Sequence, residues 1–469
     1  MTTPDGKVIL PGIGDDENRT LNKLLDDLGK TQERNKLRAS YYDGKRAIRQ
    51  VGTVIPPQYY RLGIVLGWTA KAVDALARRC NLDDFVWPDG DIGSIGHRQV
   101  WDGNMLGSES GQGLVESLLH GPAFTVVTKG GPGEPPALIH FKDALNAAGE
   151  WDKRARRLRN LLSITERDDD GIKSLALYLH NQTIIGERVG GRWVTVDVQD
   201  HAFGMPADML PYKPRNQRPF GRSRITRPLM GLQDQATRAL IRLEGHMDIY
   251  SYPELWMLGA DESIFKDEAG AIRPTWQVML GRIKGIPDDE NAAQPRADVK
   301  QIPASDPAPH LSTLNAIAKM MAREASLPDT ALALTDVSNP TSAESYDSSQ
   351  YELISEAEGA VRDWSPGLRR TYIRALAVAN GIPAEDVPRE WLSIDTKWRD
   401  PRYQSKAAEA DAGAKMIGSI PWLAETEVGL ELLGLSPQQI RRAMADRDRA
   451  RMMQAIATLA PRPAEPAQA

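Results

Sequence analysis

Cysteine is almost absent. Cys80 is the only one in 469 residues, which excludes an internal disulfide and any cysteine-built zinc site and fits assembly in a reducing cytosol. Long apolar runs are missing as well: nothing approaches the roughly 18 consecutive apolar residues of a membrane span. Near the start, Lys7 is followed only by Val8 to Leu10 before Pro11, too little for a secretory signal, so the chain is expected to be soluble and made in the cytosol, with no membrane partner. Neither sign of charge dominates. The 58 Lys and Arg against 63 Asp and Glu leave a net charge of -5, so any contact with nucleic acid must be local rather than carried by a globally basic surface. The seven histidines stand far apart, with no pair at the helical spacing of metal ligands. Lys129-Gly130-Gly131-Pro132-Gly133 lacks the Gly-Lys-Ser/Thr ending that cradles phosphates, which excludes a P-loop nucleotide motor. Asp168-Asp169-Asp170 sits on a tight turn and reads as solvated carboxylates, with ligation of a divalent metal as the lesser reading. Arg154, Arg156, Arg157 and Arg159 read as a charge-protected strand edge, with a phosphate-binding patch as the other reading. No nucleophile with a base and an orienting group can be named, and the expectation is a chain that is not an enzyme and carries no metal or cofactor.

What is present is periodicity. At 469 residues and 41% hydrophobic content the chain has room for about three domains. Helical spacing runs from Leu21 to Tyr42, from Pro56-Pro57 to Cys80, from His97 to Leu106 and from Gly111 to His120. Strand patterns follow at Ala123 to Thr128, Leu158 to Thr165, Ser174 to His180, Thr183 to Val189 and Arg192 to Val198. Asp169-Asp170-Gly171, Asn181-Gln182 and Gly190-Gly191 break them at hairpin spacing, predicting an antiparallel meander. A long helix is predicted from Thr226 as N-cap to Tyr250, about 37 Å in length. The stretch from Ser251 to Pro309 reads as compact β structure with loops, and Leu311 to Leu327 as a second helix. Thr341 and Glu344 form a capping-box spacing for a helix that Ser365-Pro366 kinks or restarts before Asn380-Gly381. Trp391 to Trp398 reads as one strand, three helices are expected over Ser405 to Ile417, Pro421 to Leu433 and Ser436 to Leu459, and Pro461 to Ala469 as a disordered tail.

Charge is sharply segregated in the middle of the chain. Between Lys213 and Arg242 eight basic residues face one acid, Asp234; between Pro328 and Trp364 eight acids face one base, Arg362. Two neighbouring segments therefore meet opposite electrostatic demands.

Five stretches in this order resemble one family. They are Tyr41-Tyr42-Asp43-Gly44; Ala72-Val73-Asp74-Ala75-Leu76-Ala77-Arg78-Arg79 before Asp84-Phe85; Pro219-Phe220-Gly221-Arg222-Ser223-Arg224-Ile225; Asn339-Pro340-Thr341-Ser342-Ala343-Glu344-Ser345; and Trp398-Arg399-Asp400-Pro401. The chain resembles the portal proteins of tailed double-stranded-DNA bacteriophages, siphovirus type, in the branch common among phages of actinobacteria. The resemblance implies an α+β portal-like fold, mainly helical, with an antiparallel β meander in the wing, two long stem helices, a small β-containing clip and a helical crown. It divides the chain into a wing (1–225), stem helix one (226–250), clip (251–309), stem helix two (310–327), tunnel loop (328–341), long wing helix and returning strand (342–400), crown (401–460) and tail (461–469). It implies a homo-oligomeric ring of twelve subunits at one capsid vertex of the virion, through which double-stranded DNA passes without sequence specificity. The implied partners are the terminase large subunit, the major capsid and scaffold proteins and a head-tail adaptor.

Under that resemblance Asp329, Asp336, Ser338, Asn339, Thr341, Glu344 and Asp347 are candidates for the channel lining. A tight basic lining repeated in every subunit would grip the duplex, since even roughly 6 to 10 phosphate contacts dominate an affinity; an acidic or neutral one centres the duplex by repulsion. An ordinary solvated acidic helix face is the other reading of these residues. Arg222, Arg224, Arg238 and Arg242 are candidates for bridging subunits, with contact to packaged DNA or a solvated helix start as the other readings. Another virion component, a minor capsid or adaptor protein, or a metal-dependent intracellular hydrolase, are the competing functions.

Overall fold

The computed structural model describes residues 7–45, 63–169, 171–250, 254–258, 283–286, 298–303, 305–332, 349–402 and 406–459. It separates into two compact units, Met1–Pro401 and Arg402–Ala469. In the first, helix α1 (Asp15–Tyr42) opens on three acids, Asp15, Asp16 and Glu17, which suit the positive end of the helix dipole. The chain ahead of it is laced to the helix: Asn22 and Asn18 accept the backbone N–H of Val8 and Leu10 at 2.9 and 3.0 Å. Helix α2 (Trp68–Ala77) is shorter than its apolar pattern predicts. Residues 63–67 are not helical, Gly63 has φ +62° and Gly67 precedes the first turn, so two glycines interrupt a spacing that otherwise reads straight through. The proposed start at Pro56-Pro57 lies outside the described residues.

Strand β1 (Leu82–Val86), helix α3 (His97–Gly103) and helix α4 (Leu106–His120) lead into the sheets. Strands β2 (Pro122–Lys129), β3 (Ala137–Lys142), β4 (Ala147–Asp152), β5 (Arg157–Asp168), β6 (Gly171–Leu179), β7 (Gln182–Val189), β8 (Arg192–Asp200) and β9 (Ala207–Pro211) follow. The meander is as predicted, with β4-β5-β6-β7-β8 side by side and antiparallel throughout. Its turns use left-handed residues where the sequence placed them: Asn181 has φ +60°, Gly190 +57° and Gly191 +78°. Asp168 pairs with Arg188 at 2.7 Å across the meander, a structural use for one acid of the triplet; Asp170 lies outside the described residues. A second sheet, β3-β2-β9, was only a third legible, since β3 and β9 are short and β9 carries an aspartate in its apolar run.

Helix α5 (Arg227–Tyr250) leaves this body and helix α6 (Ala308–Glu324) returns to it. Between them lies a three-stranded sheet of β10 (Glu254–Leu258), β11 (Ile283–Ile286) and β12 (Asp298–Ile302), with β10 central, which agrees with the β structure expected there. Helix α7 (Tyr351–Ala379) runs uninterrupted through Pro366. The predicted strand from Trp391 is a short 3-10 turn, Arg389–Ser393, followed by β13 (Asp395–Trp398), which pairs antiparallel with β1. Trp391 is buried, and burying its ring in the turn overrides the strand-like spacing.

Two cores matter. Leu21, Leu24 and Leu28 of α1 pack with Leu162, Ile164, Leu175, Leu177, Ile184 and Trp193 of the meander. A larger one gathers α2, α4, the end of α6 and α7 around Trp364, whose indole donates to Ser117 Oγ at 2.9 Å. Helix α7 is also held to β9 by Asp208, which pairs with Arg370 and Arg374 at 2.7 and 2.8 Å.

The second unit has helix α8 (Lys406–Ser419), a 3-10 turn at Pro421–Glu425, helix α9 (Glu427–Leu432) and helix α10 (Pro437–Leu459). Thr426 caps α9, accepting Gly429 N–H at 3.0 Å. Ser436 and Gln439 exchange the two bonds of a capping box ahead of α10, at 2.9 and 3.4 Å. The single helix read over Pro421 to Leu433 is thus two elements, divided where Thr426 caps the second.

Leu24 is fully buried between α1 and the meander. Leu24→Ala is expected to cost about 2–5 kcal/mol, read as a lowered denaturation midpoint for the first unit.

Candidate functional site

Helices α5 and α6 form an antiparallel pair. Ala236, Ala239 and Ile317 are buried between them, with Leu232 and Leu314 alongside, and at the far end His246 and His310 stack edge to face with ring centroids 5.0 Å apart. Small alanines at the contact let the backbones approach closely. At 24 residues α5 is about 36 Å long. Thr226 sits at its start as expected, its hydroxyl accepting Leu229 N–H at 3.4 Å. Large apolar side chains remain uncovered along the pair: Met247 is 43% exposed, Leu311 38% and Met320 49%.

The base of the pair is an electrostatic joint. The Pro219-to-Ile225 stretch turns there on Gly221, whose φ is +70° and where a Cβ would lie 2.3 Å from the Tyr212 carbonyl oxygen, so no side chain fits. Ser223 Oγ accepts Ile225 N–H at 2.9 Å. Arg224 then turns inward. It is 4% exposed, its Nε donates to Ala72 O and its Nη2 to Ala325 O, both at 2.6 Å, and its Nη1 forms an ion pair with Glu356 Oε2 at 2.6 Å. One side chain thereby ties α2, the end of α6 and α7 to the root of α5. Tyr212 donates to Glu356 Oε1 at 2.6 Å and Lys213 Nζ joins the same carboxylate. Burial alone would raise the Glu356 carboxyl, but Arg224, with Lys213 and Tyr212, holds it down at about 2. Asp363 accepts the Lys213 backbone N–H at 3.1 Å.

This corrects one expectation. Arg224 is not among residues that can reach a neighbouring subunit, because its guanidinium is enclosed and engaged within its own chain. Arg222 and Arg242 are exposed and Arg238 is half-buried on α5. Of the proposed channel residues, Asp329 lies exposed in a 3-10 turn, Asp329–Ala331, directly after α6. Asp336, Ser338, Asn339, Thr341, Glu344 and Asp347 lie outside the described residues. Sequence reading missed Glu356 as the partner of Arg224, Lys213 and Tyr212, and missed Asp208. The available signal was the opposite charge of the two segments, which the fold partly neutralises inside one chain.

The other recognised stretches are tertiary ties too. Tyr41 OH donates to Asp234 at 2.9 Å, Tyr42 OH donates to Asp74 at 2.9 Å, and Thr69 Oγ1 donates to Tyr41 O at 2.9 Å. Arg399 pairs with Asp83 at 2.6 Å and Arg79 donates to Pro401 O at 2.5 Å. The Asn339-to-Ser345 stretch lies outside the described residues. Among the described residues no group of three or more His, Cys, Asp or Glu could hold a metal ion, and no helix is long and apolar enough to cross a membrane.

Glu356→Gln leaves the Arg224 charge buried without its counter-ion and is expected to cost about 3–5 kcal/mol, whereas Lys213→Met, at the open edge, costs about 0–1 kcal/mol. Since the folded Glu356 carboxyl titrates below its ordinary value, its contribution is fully present above pH 4.5 and is lost as pH falls toward 2. Denaturation midpoints measured from pH 6 to pH 2 are therefore expected to fall more steeply for the unsubstituted chain than for Glu356→Gln.

Comparison with known proteins places this architecture. Residues 21–423 match the family model described as phage portal protein, SPP1 Gp6-like. The chain is 27% identical over 451 residues to a portal protein of Mycobacterium phage L5, covering 89% of this chain and 85% of that one. It is 28% identical over 399 residues to a portal protein of Mycobacterium phage D29, covering 81% and 78%. A chain in the neck of an empty GTA particle, solved with C6 symmetry, is 17% identical with a TM-score of 0.42, covering 79% of this chain and 91% of that chain. With the match spanning α1 through the 3-10 turn of the second unit, the chain belongs to the SPP1 Gp6-like family of phage portal proteins.

Proposed function

We propose that this portal protein works as a closed homo-oligomeric ring of twelve subunits at one capsid vertex, a structural conduit without catalysis through which double-stranded DNA enters the head and later leaves it. The observation that carries the ring is the uncovered apolar surface of the α5–α6 pair at Met247, Leu311 and Met320. An isolated helix pair that exposes such side chains gains by packing against an identical pair, and repeated head-to-tail packing of that kind closes into a ring. In this reading α5 and α6 are the stem, residues 251–309 between them are the clip that meets the terminase large subunit and then a head-tail adaptor, and residues 328–341 face the channel. The body up to residue 225 with α7 is the wing, against the major capsid and scaffold proteins, and the second unit is the crown. The virion is its place of work.

The channel must pass a polyanion without holding it. Exposed Asp329 and its acidic neighbours in sequence serve that need by repulsion, and the neutral Ser338, Asn339 and Thr341 add no grip. Arg238 and Arg242 of α5 are assigned to acidic groups of the adjacent stem.

Met320→Asp is expected to abolish rings in mass photometry while shifting the denaturation midpoint by no more than a surface change does, about 0.5 kcal/mol. Arg238→Ala with Arg242→Ala weakens assembly without abolishing it; rings as abundant as those of the unsubstituted protein would refute the bridging role. Asp336→Lys with Glu344→Lys slows packaging in vitro and increases retained DNA, and an unchanged rate and retention would remove those residues from the lining.

A further inference from the structure

We propose that the cleft between α1, β4 and the loop at residues 217–222 is a binding site for a small molecule bearing a dianionic phosphate group, held by Arg34, Arg38 and Arg218. The proposal is independent of the ring. The cleft has a volume of about 390 Å³, within the roughly 300–1,000 Å³ of small-ligand sites. Four arginines line it, Arg34, Arg38, Arg218 and Arg222, and among the described residues Arg34, Arg38 and Arg218 form no ion pair with a carboxylate. The one acid at the rim, Asp27, is already paired with Lys30 at 2.8 Å.

Arg38 is half-buried and aimed by its own bonds, its Nη1 donating to His120 O at 3.1 Å and to Asn35 Oδ1 at 3.3 Å. Asn35 is in turn fixed by donating to Ala144 O at 3.0 Å. Arg34 and Arg218 stand exposed at the mouth. Burial and the nearby charges of Arg34 and Arg218 push the Arg38 guanidinium down to about 10, and burial with Arg218 lowers Arg34 too. Cations crowded in this way favour a bound anion by the interaction they lack in its absence. A second, separate sign of a missing partner is His120. It lines the cleft and is 3% exposed, its Nε2 faces Glu116 at 3.3 Å, and its Nδ1 is buried with no hydrogen-bond partner.

Charge and shape select the ligand. A single carboxylate would leave two guanidinium groups unmatched, whereas a phosphomonoester carries about −1.5 to −2 at neutral pH and offers three oxygens to forked donors. A duplex phosphodiester carries one charge per phosphate and matches the clustered guanidinium groups less well. Part of the lining is apolar: Phe220 is partly exposed and packs edge to face on buried Phe124 at 6.4 Å, a surface that suits the body of a mononucleotide.

The test is calorimetric titration of the full chain, at constant ionic strength, with inorganic phosphate, adenosine monophosphate and a 20-base-pair duplex. Saturable binding of phosphate and tighter binding of the nucleotide are expected, weakened by at least about tenfold in Arg34→Gln with Arg218→Gln, as the loss of two charge-assisted bonds requires. Both residues are exposed, and an unchanged melting temperature without ligand shows that the variant folds. Absence of saturable binding, or equal binding in the variant, overturns the proposal. Binding of the duplex alone assigns the cleft to nucleic acid and overturns it as well. Loss of rings in the variant, with no phosphate bound by the unsubstituted protein, means that a neighbouring subunit fills the cleft, and this also overturns it.

Discussion

The junction of α2, α5, α6 and α7 hangs on one buried charge, the guanidinium of Arg224. It stands where helix α5 leaves the body, and its partners come from α2, the end of α6 and α7. A buried cation costs several kcal/mol unless it is paired and fully hydrogen-bonded, so these elements cannot separate without exposing an unmatched charge. Two helices that project from a body as a single arm need such a root, because the buried apolar contact between them is limited to a few residues, Ala236, Ala239 and Ile317.

The segregation of charge along the chain takes on a different meaning in the fold. Lys213 and Arg224 from the basic segment meet Glu356 and Asp363 from the acidic one inside a single subunit. Among the other arginines of the basic segment, Arg222 and Arg242 are exposed and Arg238 is half-buried, and Asp329 is exposed directly after α6. The inner members of the pattern lock the body, and its exposed members are the ones proposed above to meet neighbouring subunits and to face the channel.

Helices, meander and turns were legible because they follow local rules. The three-four spacing of α1 and α5 and the left-handed turns at Asn181 and Gly190-Gly191 need no knowledge of distant residues. What was not legible depends on tertiary context. Helix α2 begins late because glycines at 63 and 67 break a spacing that remains apolar. Strand β9 hides a buried aspartate that makes sense only beside Arg370 and Arg374 of α7. The role of Arg224 was unreadable for the same reason: an arginine before a long helix looks like surface until Glu356, 132 positions away, is brought against it. The recognised stretches were informative because they are the residues that tie remote elements together, as Tyr41 does with Asp234 and Arg399 with Asp83.

The central claim is a ring whose subunits are each locked internally by Arg224 and joined to one another through the exposed faces of α5 and α6. A cryo-electron reconstruction of the assembled protein tests it most directly. The account predicts a closed ring around an open channel, with Met247, Leu311 and Met320 buried against the adjacent stem and Arg224 bound to Glu356 of its own chain. A monomer without a pore, or a ring in which α5 and α6 stay uncovered and Arg224 crosses to a neighbour, would contradict it.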